Sequence, residues 1–224
     1  AMAKDQSYVL GVLTAEQLKH SMFPLGATAS KDLIRKEAAD RGLSVANKPD
    51  SYDICFIPEG DTREWLKDFV PSDPGKIVDL EGNELGEHDG HVGFTVGQRK
   101  GLRIGKPAAD GKPRYVLEIR PKTKEVVVGP EQALEISELS GARYSWCGKA
   151  PESPEQEFEC EVQVRAHGDT VPATASVLDG LMRIQLNEPL YGVATGQTAV
   201  VYLGTRVLGQ MTIDATRSKV QAGV

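Results

Sequence analysis

The sequence predicts an α+β chain that is mainly β, with a short helical N-terminal segment, a small mixed domain in the middle and an antiparallel β-barrel at the C-terminus. Three observations point there. Apolar residues recur at helical spacing only before Pro71. After it the period drops to two, the spacing of a half-buried strand. The last third strings short alternating segments between turn signals, the pattern of a barrel or sandwich.

Each element has its own justification. "TAEQLKHSM" starts on Thr14 as N-cap, with Gln17 at the capping-box position, and stops before Pro24. "SKDLIRKEAADRGL" repeats the logic, with Ser30 as cap, Leu33, Ile34, Glu37 and Ala38 at helical spacing, and Gly42 as a left-handed terminator. Pro49 and Pro58 then bracket a segment too interrupted for a long helix, and Asp61 caps "TREWLKDFV". "GKIVDLEGNELGEH" reads as a hairpin turning at Glu81 to Asn83. "RYVLEIRPKTKEVVVGP" reads as a second one, with Tyr115, Leu117 and Ile119 on one face. "EFECEVQVRA" alternates strictly, "VLDGLMRIQL" carries an Asp-Gly turn, and "TAVVYLGTRVLGQMTI" folds at Gly204-Thr205. So many short strands in one stretch predict a closed or nearly closed barrel, because closure removes exposed edges. The expected domains are residues 1–58, 59–136 and 137–224.

Composition narrows the function classes. The 224 residues are 40% hydrophobic and hold no apolar run near the length of a membrane span. The start "AMAKDQSYVL" has neither the basic region nor the apolar run of a secretory signal, so a soluble protein is expected, and three scattered cysteines with no pairing pattern fit a reducing cytoplasm. The chain also lacks a domain-like beginning, which suggests a fragment. The formal net charge of −6 speaks against non-specific nucleic-acid binding, but it is uneven. From Thr95 to Lys124 there are nine Lys/Arg against two acids, a local +7, so the remainder carries −13. Such a chain would hold a polyanion on one face and repel it elsewhere; a solvated lysine-rich hairpin is the plainer alternative.

Three cysteines, Cys55, Cys147 and Cys160, stand far apart without a C-x-x-C pair, so neither a disulfide framework nor a zinc site follows. Cys160 shares its strand face with Phe158, Val162 and Val164 and reads as a small core hydrophobe. Cys147, beside Trp146, reads as structural at a strand end or loop. Cys55 in "SYDICFIPEGD" sits at the junction of the helical and β parts, where reactive groups are often placed, although "ICFI" equally fits a buried strand. A cysteine hydrolase would need an imidazole beside it, and no spacing of His20, His88, His91 or His167 supplies one. His88 and His91 have H-x-x-H spacing but lack further ligands, so no metal is expected, and they read as solvated loop histidines. "TVGQRKGLRIG" interleaves Gly97, Gly101 and Gly105 with Arg99, Lys100 and Arg103. It does not match a nucleotide P-loop, but it suits a basic loop approaching a phosphate backbone.

Eight phrases in order, "KDQSYVL", "FPLG", "KPDSYDICFIPEGD", "PGKIVDLEGNELGEHDG", "FTVGQRKGL", "VVVGP", "VPATA" and "GQTAVVY", resemble the C-terminal portion of the tRNA-specific 2-thiouridylases, spanning nearly the whole chain. The resemblance implies an enzyme that activates the wobble uridine of tRNA with ATP and replaces its 2-oxygen by sulfur delivered by a donor protein. It implies that Cys55 carries the sulfur as a persulfide, a good nucleophile at neutral pH that must be reachable by donor and tRNA. The family's tRNA contacts map onto Lys4, Asp5 and Gln6 of "KDQ", onto Arg165 and onto Gln197. Relatives carry aromatic and basic residues after that arginine, where this chain has Ala166 and His167, and Tyr52 stands where a smaller or polar residue is expected. The family's "SGGxDS" ATP loop and first catalytic cysteine are not in these residues. The expectation is therefore a fragment that holds no ATP site and is inactive alone. The rival reading is a stand-alone RNA-binding β-barrel module in which all three cysteines are structural.

Overall fold

The structure is a computed structural model and describes residues 5–49, 73–105 and 110–218. The expected Asp61-capped helix, the Cys55 segment and Lys4 lie outside the described residues.

Three short helices open the chain: α1 (Ser7–Leu10), α2 (Ala15–Lys19) and α3 (Lys31–Asp40). The capping box of α2 forms as its sequence requires, Thr14 Oγ1 accepting from Gln17 N and Gln17 Oε1 accepting from Thr14 N at 2.9 Å. Ser30 caps α3 by accepting from Leu33 N, and Gly42 ends it at φ +69°. None of the three helices contains a buried residue.

In the middle, β1 (Gly75–Val78), β2 (Glu84–His88), β3 (Tyr115–Arg120) and β4 (Glu125–Gly129) form one sheet in the order β2-β1-β4-β3. Both expected hairpins are present, and β1 runs parallel to β4 between them. One face differs from expectation. The β3–β4 ladder shifts register between Val116 and Glu118, so Val116, rather than Leu117, is fully buried with Ile77, Val126 and Val128, and Ile119 packs against the same cluster. One inserted residue reverses the alternation that the sequence pattern assumes.

The histidine expectation is corrected as well. His88 is the last residue of β2 and only 5% exposed. Its ring is tilted against Phe94, its Nδ1 accepts from Gly90 N at 3.0 Å, and its Nε2 donates to the Lys124 carbonyl at 3.1 Å. A ring satisfied on both nitrogens in this way is the neutral Nε2–H tautomer, and burial lowers its pKa from 6.5.

The C-terminal part is a curled, antiparallel half-barrel of eight strands: β5 (Glu135–Gly141), β6 (Tyr144–Trp146), β7 (Phe158–Gln163), β8 (Val171–Leu178), β9 (Leu181–Tyr191), β10 (Thr198–Leu203), β11 (Arg206–Thr212) and β12 (Ala215–Ser218). Their order is β12-β5-β9-β8-β7-β10-β11-β6, with the short strands β12 and β6 at the edges. Short edges limit pairing with other chains. Thr212 N to Arg143 O extends the β11–β6 pair and Asp214 N to Ser140 O the β12–β5 pair, each 2.8 Å, and Ala142 N donates to the Asp214 carboxylate at 2.9 Å between the two connecting segments. The Asp179-Gly180 turn between β8 and β9 has both residues at positive φ, as a two-residue hairpin of matching twist demands. Leu139, Val162, Met182, Ile184, Val201, Met211 and Ile213 fill the core, and Cys160 lies among them at 7% exposure. Its thiol is pushed up to about 12, first by burial and then by Glu159 and Glu161.

Candidate functional site

Two strand ends of the half-barrel carry the sequence-predicted contacts: Arg165 follows the end of β7, and Gln197 precedes β10. The N-terminal segment docks there. Tyr8, in α1, donates from its hydroxyl to Val164 O (3.1 Å) and Thr198 O (2.9 Å), the carbonyls adjoining those two residues. One phenol therefore fastens the segment that begins at Asp5 and Gln6 to both strand ends. Gly11 completes the fit, since a Cβ there would lie 2.8 Å from both methyl carbons of the fully buried Val200. The Cys147 thiol then donates to Gly11 O at 3.2 Å.

Beside this anchor runs a polar relay. Both Asp5 carboxylate oxygens accept from Ser7, Oδ1 from its N–H at 2.9 Å and Oδ2 from its hydroxyl at 3.0 Å. Ser7 Oγ lies 3.3 Å from the Tyr202 hydroxyl, which donates to Gln163 Oε1 at 2.9 Å. Gln163 Nε2 in turn donates to the carbonyls of Arg165 and Gly168, both at 2.9 Å, which fixes which way the amide points. Asp5, Ser7, Gln163, Thr170 and Tyr202 face an open groove of about 800 Å³ between segment and barrel.

The predicted contacts are thus held in different ways. Asp5 spends its carboxylate on shaping the turn into α1 and so acts on its neighbours. Gln6 is the residue before α1 and makes no side-chain cap. The exposed Arg165 is held by backbone, its Nη2 donating to Gly192 O at 2.7 Å and Tyr191 O at 3.4 Å. Gln197 turns its amide oxygen inward to accept from Ala194 N at 3.2 Å.

Arg99, Lys100 and Arg103 belong to the other sheet. Their loop is pinned by Gly97 N to Val116 O (2.8 Å) and Val116 N to Gln98 O (2.9 Å), while Leu102 and Ile104 pack into the core of that sheet. Both Gly97 and Gly101 have positive φ, near +88° and +78°. With Leu102 and Ile104 inward, Arg99, Lys100 and Arg103 are left exposed on a fixed loop. Arg103 meets Asp89 at 3.3 Å, a solvated pair of small energetic weight.

Burial raises the Tyr8 and Tyr202 phenols further from neutrality, with Tyr202 adding to the first and the Asp5 charge to the second. Both described thiols are raised by burial as well. Among the described residues no three His, Cys, Asp or Glu gather as a metal site, and no helix is long and apolar enough to cross a membrane.

Sequence reading missed Tyr8, Gln163 and Tyr202. A signal existed. In β10, Ala199, Val200, Val201 and Tyr202 are buried in succession, and an unbroken apolar run marks a strand covered on both faces. Here the second cover is the N-terminal segment.

Three domain families match in sequence: "tRNA methyl transferase HUP domain" over residues 1–59, "tRNA methyl transferase PRC-barrel domain" over 63–130 and "Aminomethyltransferase beta-barrel domain" over 136–213. Similar proteins include the "tRNA-specific 2-thiouridylase MnmA" of Clavibacter sepedonicus, 64% identical over 98% of this chain and 56% of its own length. That of Leifsonia xyli subsp. xyli is 63% identical over 98% of this chain and 60% of its own length. That of Arthrobacter sp. is 59% identical over 99% and 62%. The chain therefore spans a little over half the length of the relatives it matches. With nearly all of its residues aligned at such identity, the chain belongs to the tRNA-specific 2-thiouridylase family.

Proposed function

We propose that this chain is the tRNA-docking and sulfur-carrying part of an enzyme that exchanges the 2-oxygen of a wobble uridine for sulfur. Residues 1–58 would contribute the end of the adenylating domain, 59–136 a small central domain and 137–224 the RNA-docking barrel. The observation that carries the reading is the Tyr8 anchor, which brings the segment of Asp5 and Gln6 against the strand ends that bear Arg165 and Gln197. Candidate contacts from three places in the sequence, residues 5–6, 165 and 197, are thereby gathered on one docked unit. The domain-family names speak of methyl transfer and the relatives' names of thiolation; the relatives match across the whole chain, so the chemistry is read from them.

In this reading Cys55 accepts a sulfur atom from a donor protein in the cytoplasm and holds it as a persulfide. Cys147 and Cys160 do not compete, since both are buried and their thiols are raised. Lys4, Asp5, Gln6, Arg165 and Gln197 position the RNA, and the Arg99, Lys100 and Arg103 loop neutralises its backbone. Activation of the uridine oxygen by ATP falls to residues other than those of this chain, so the chain alone should not form 2-thiouridine.

The test is sulfur loading. The chain is incubated with a cysteine-dependent sulfurtransferase and cysteine, and the peptides holding each cysteine are weighed by mass spectrometry. One added sulfur on the Cys55 peptide, absent from the other two, is expected. RNA binding with no sulfur on Cys55 would instead favour a stand-alone RNA-binding barrel.

A further inference from the structure

Resting on the RNA-docking reading, we propose that Tyr191 is a stacking platform for an unpaired nucleobase, set beside Arg165 as the adjoining phosphate anchor. Tyr191 ends β9 and is 55% exposed as a residue, the one exposed Phe, Trp or Tyr among the described residues of the half-barrel. Leaving an aromatic residue exposed forfeits apolar burial, so one that is both exposed and held still calls for a reason.

It is held still. Its hydroxyl donates to Glu135 Oε1 at 2.7 Å across the β5–β9 pair, where Glu135 and Tyr191 stand opposite each other in register. Fixed at the backbone by the sheet and at the tip by the carboxylate, the ring presents a face that makes no ring contact with another described residue. A base that lands on it finds a platform whose rotamer entropy is already lost.

The neighbouring group supplies the second half of a nucleotide site. The Arg165 guanidinium is hydrogen-bonded to the carbonyls of Tyr191 itself and Gly192, so it is tethered to the same turn as the ring. A guanidinium has five donors, and only those on Nη2 are used here, which leaves donors for a phosphate oxygen. An aromatic face and a tethered cation on one turn match the base and the phosphate of one nucleotide. A base paired within a helix has both faces covered by its neighbours, so the site selects loop or single-stranded RNA over duplex.

The experiment uses the 224-residue chain and two labelled RNAs, an anticodon stem-loop and a blunt duplex with the same number of phosphates, with affinity read by fluorescence anisotropy. Tyr191→Leu should weaken stem-loop binding between about 5-fold and about 100-fold, the range of one base–aromatic stack, and leave duplex binding unchanged. Tyr191→Phe, which keeps the ring and loses only the Glu135 bond, should retain most of the stem-loop affinity. If Tyr191→Leu binds the stem-loop as the wild type does, or if it loses both RNAs equally, the platform is refuted while RNA docking stands. If the wild-type chain prefers neither RNA and binds both negligibly, the RNA-docking reading itself falls, and the platform with it.

Discussion

Removing one oxygen atom tests how the N-terminal segment is fastened. In Tyr8→Phe the ring stays, but the hydroxyl that donates to Thr198 O at 2.9 Å and Val164 O at 3.1 Å is gone. A neutral hydrogen bond contributes about 0.5–1.5 kcal/mol net, and a carbonyl left dry adds about 1–3 kcal/mol. This site is only part-buried, so water can replace some of the loss, and about 1–2 kcal/mol is the working figure. That corresponds to roughly 5- to 30-fold in the equilibrium between docked and undocked segment. Cys147 reports it, because the residue is only 8% exposed and its thiol donates to Gly11 O on the docked segment. Thiol labelling followed by peptide mass spectrometry should show Cys147 modified about 5- to 30-fold faster in the variant. Cys160, inside the half-barrel core, should label as slowly as before. An unchanged Cys147 rate would refute the anchor. Equal acceleration at Cys160 would show that the variant loosens the whole barrel instead of the segment.

Two further outcomes are expected. Replacing Arg99, Lys100 and Arg103 together by alanine should flatten the slope of log affinity against log salt for tRNA, by about 0.9 for each phosphate that the loop no longer neutralises on duplex and about 0.7 on single strands; an equal slope would reduce that loop to a solvated hairpin. For His88 the folded pKa is below 6.5 while the unfolded imidazole titrates near that value, so the unfolded chain takes up the proton first and stability falls as pH drops through and below 6.5. Denaturation midpoints at pH 7 and pH 5 should therefore differ more in the wild type than in His88→Phe, and identical pH dependence in both would reject a buried neutral His88.

Much of the fold could be read from local chemistry. Thr14, Gln17, Ser30 and Gly42 act within a turn of their own position, so caps and terminators carry their instructions with them. The same holds for the Asp179-Gly180 hairpin and for Cys160, whose burial follows from strict alternation in β7. Misreadings arose where tertiary packing intervened. The bulge at Val116 has no marker in "YVLEI", and His88 looks like a turn residue until the Lys124 carbonyl, far along the chain, closes over it. The site was legible as residue types and not as an arrangement. Arg165 and Gln197 are brought together by the antiparallel pairing of β7 with β10, to which Tyr8 adds the N-terminal segment, and the Tyr191 hydroxyl finds its partner, Glu135, only across the sheet.

If Cys55 carries the sulfur, removing its sulfur atom must stop the transfer. The gene encoding this chain is given Cys55→Ser, which keeps the size and hydrogen bonding of the side chain but cannot hold a sulfane sulfur, and 2-thiouridine in cellular tRNA is measured by nucleoside analysis. 2-Thiouridine should disappear while ATP-dependent activation of tRNA persists, and Cys147→Ser and Cys160→Ser should still thiolate. Continued 2-thiouridine formation in Cys55→Ser, or its loss in a folded Cys160→Ser, would show that Cys55 is not the sulfur carrier.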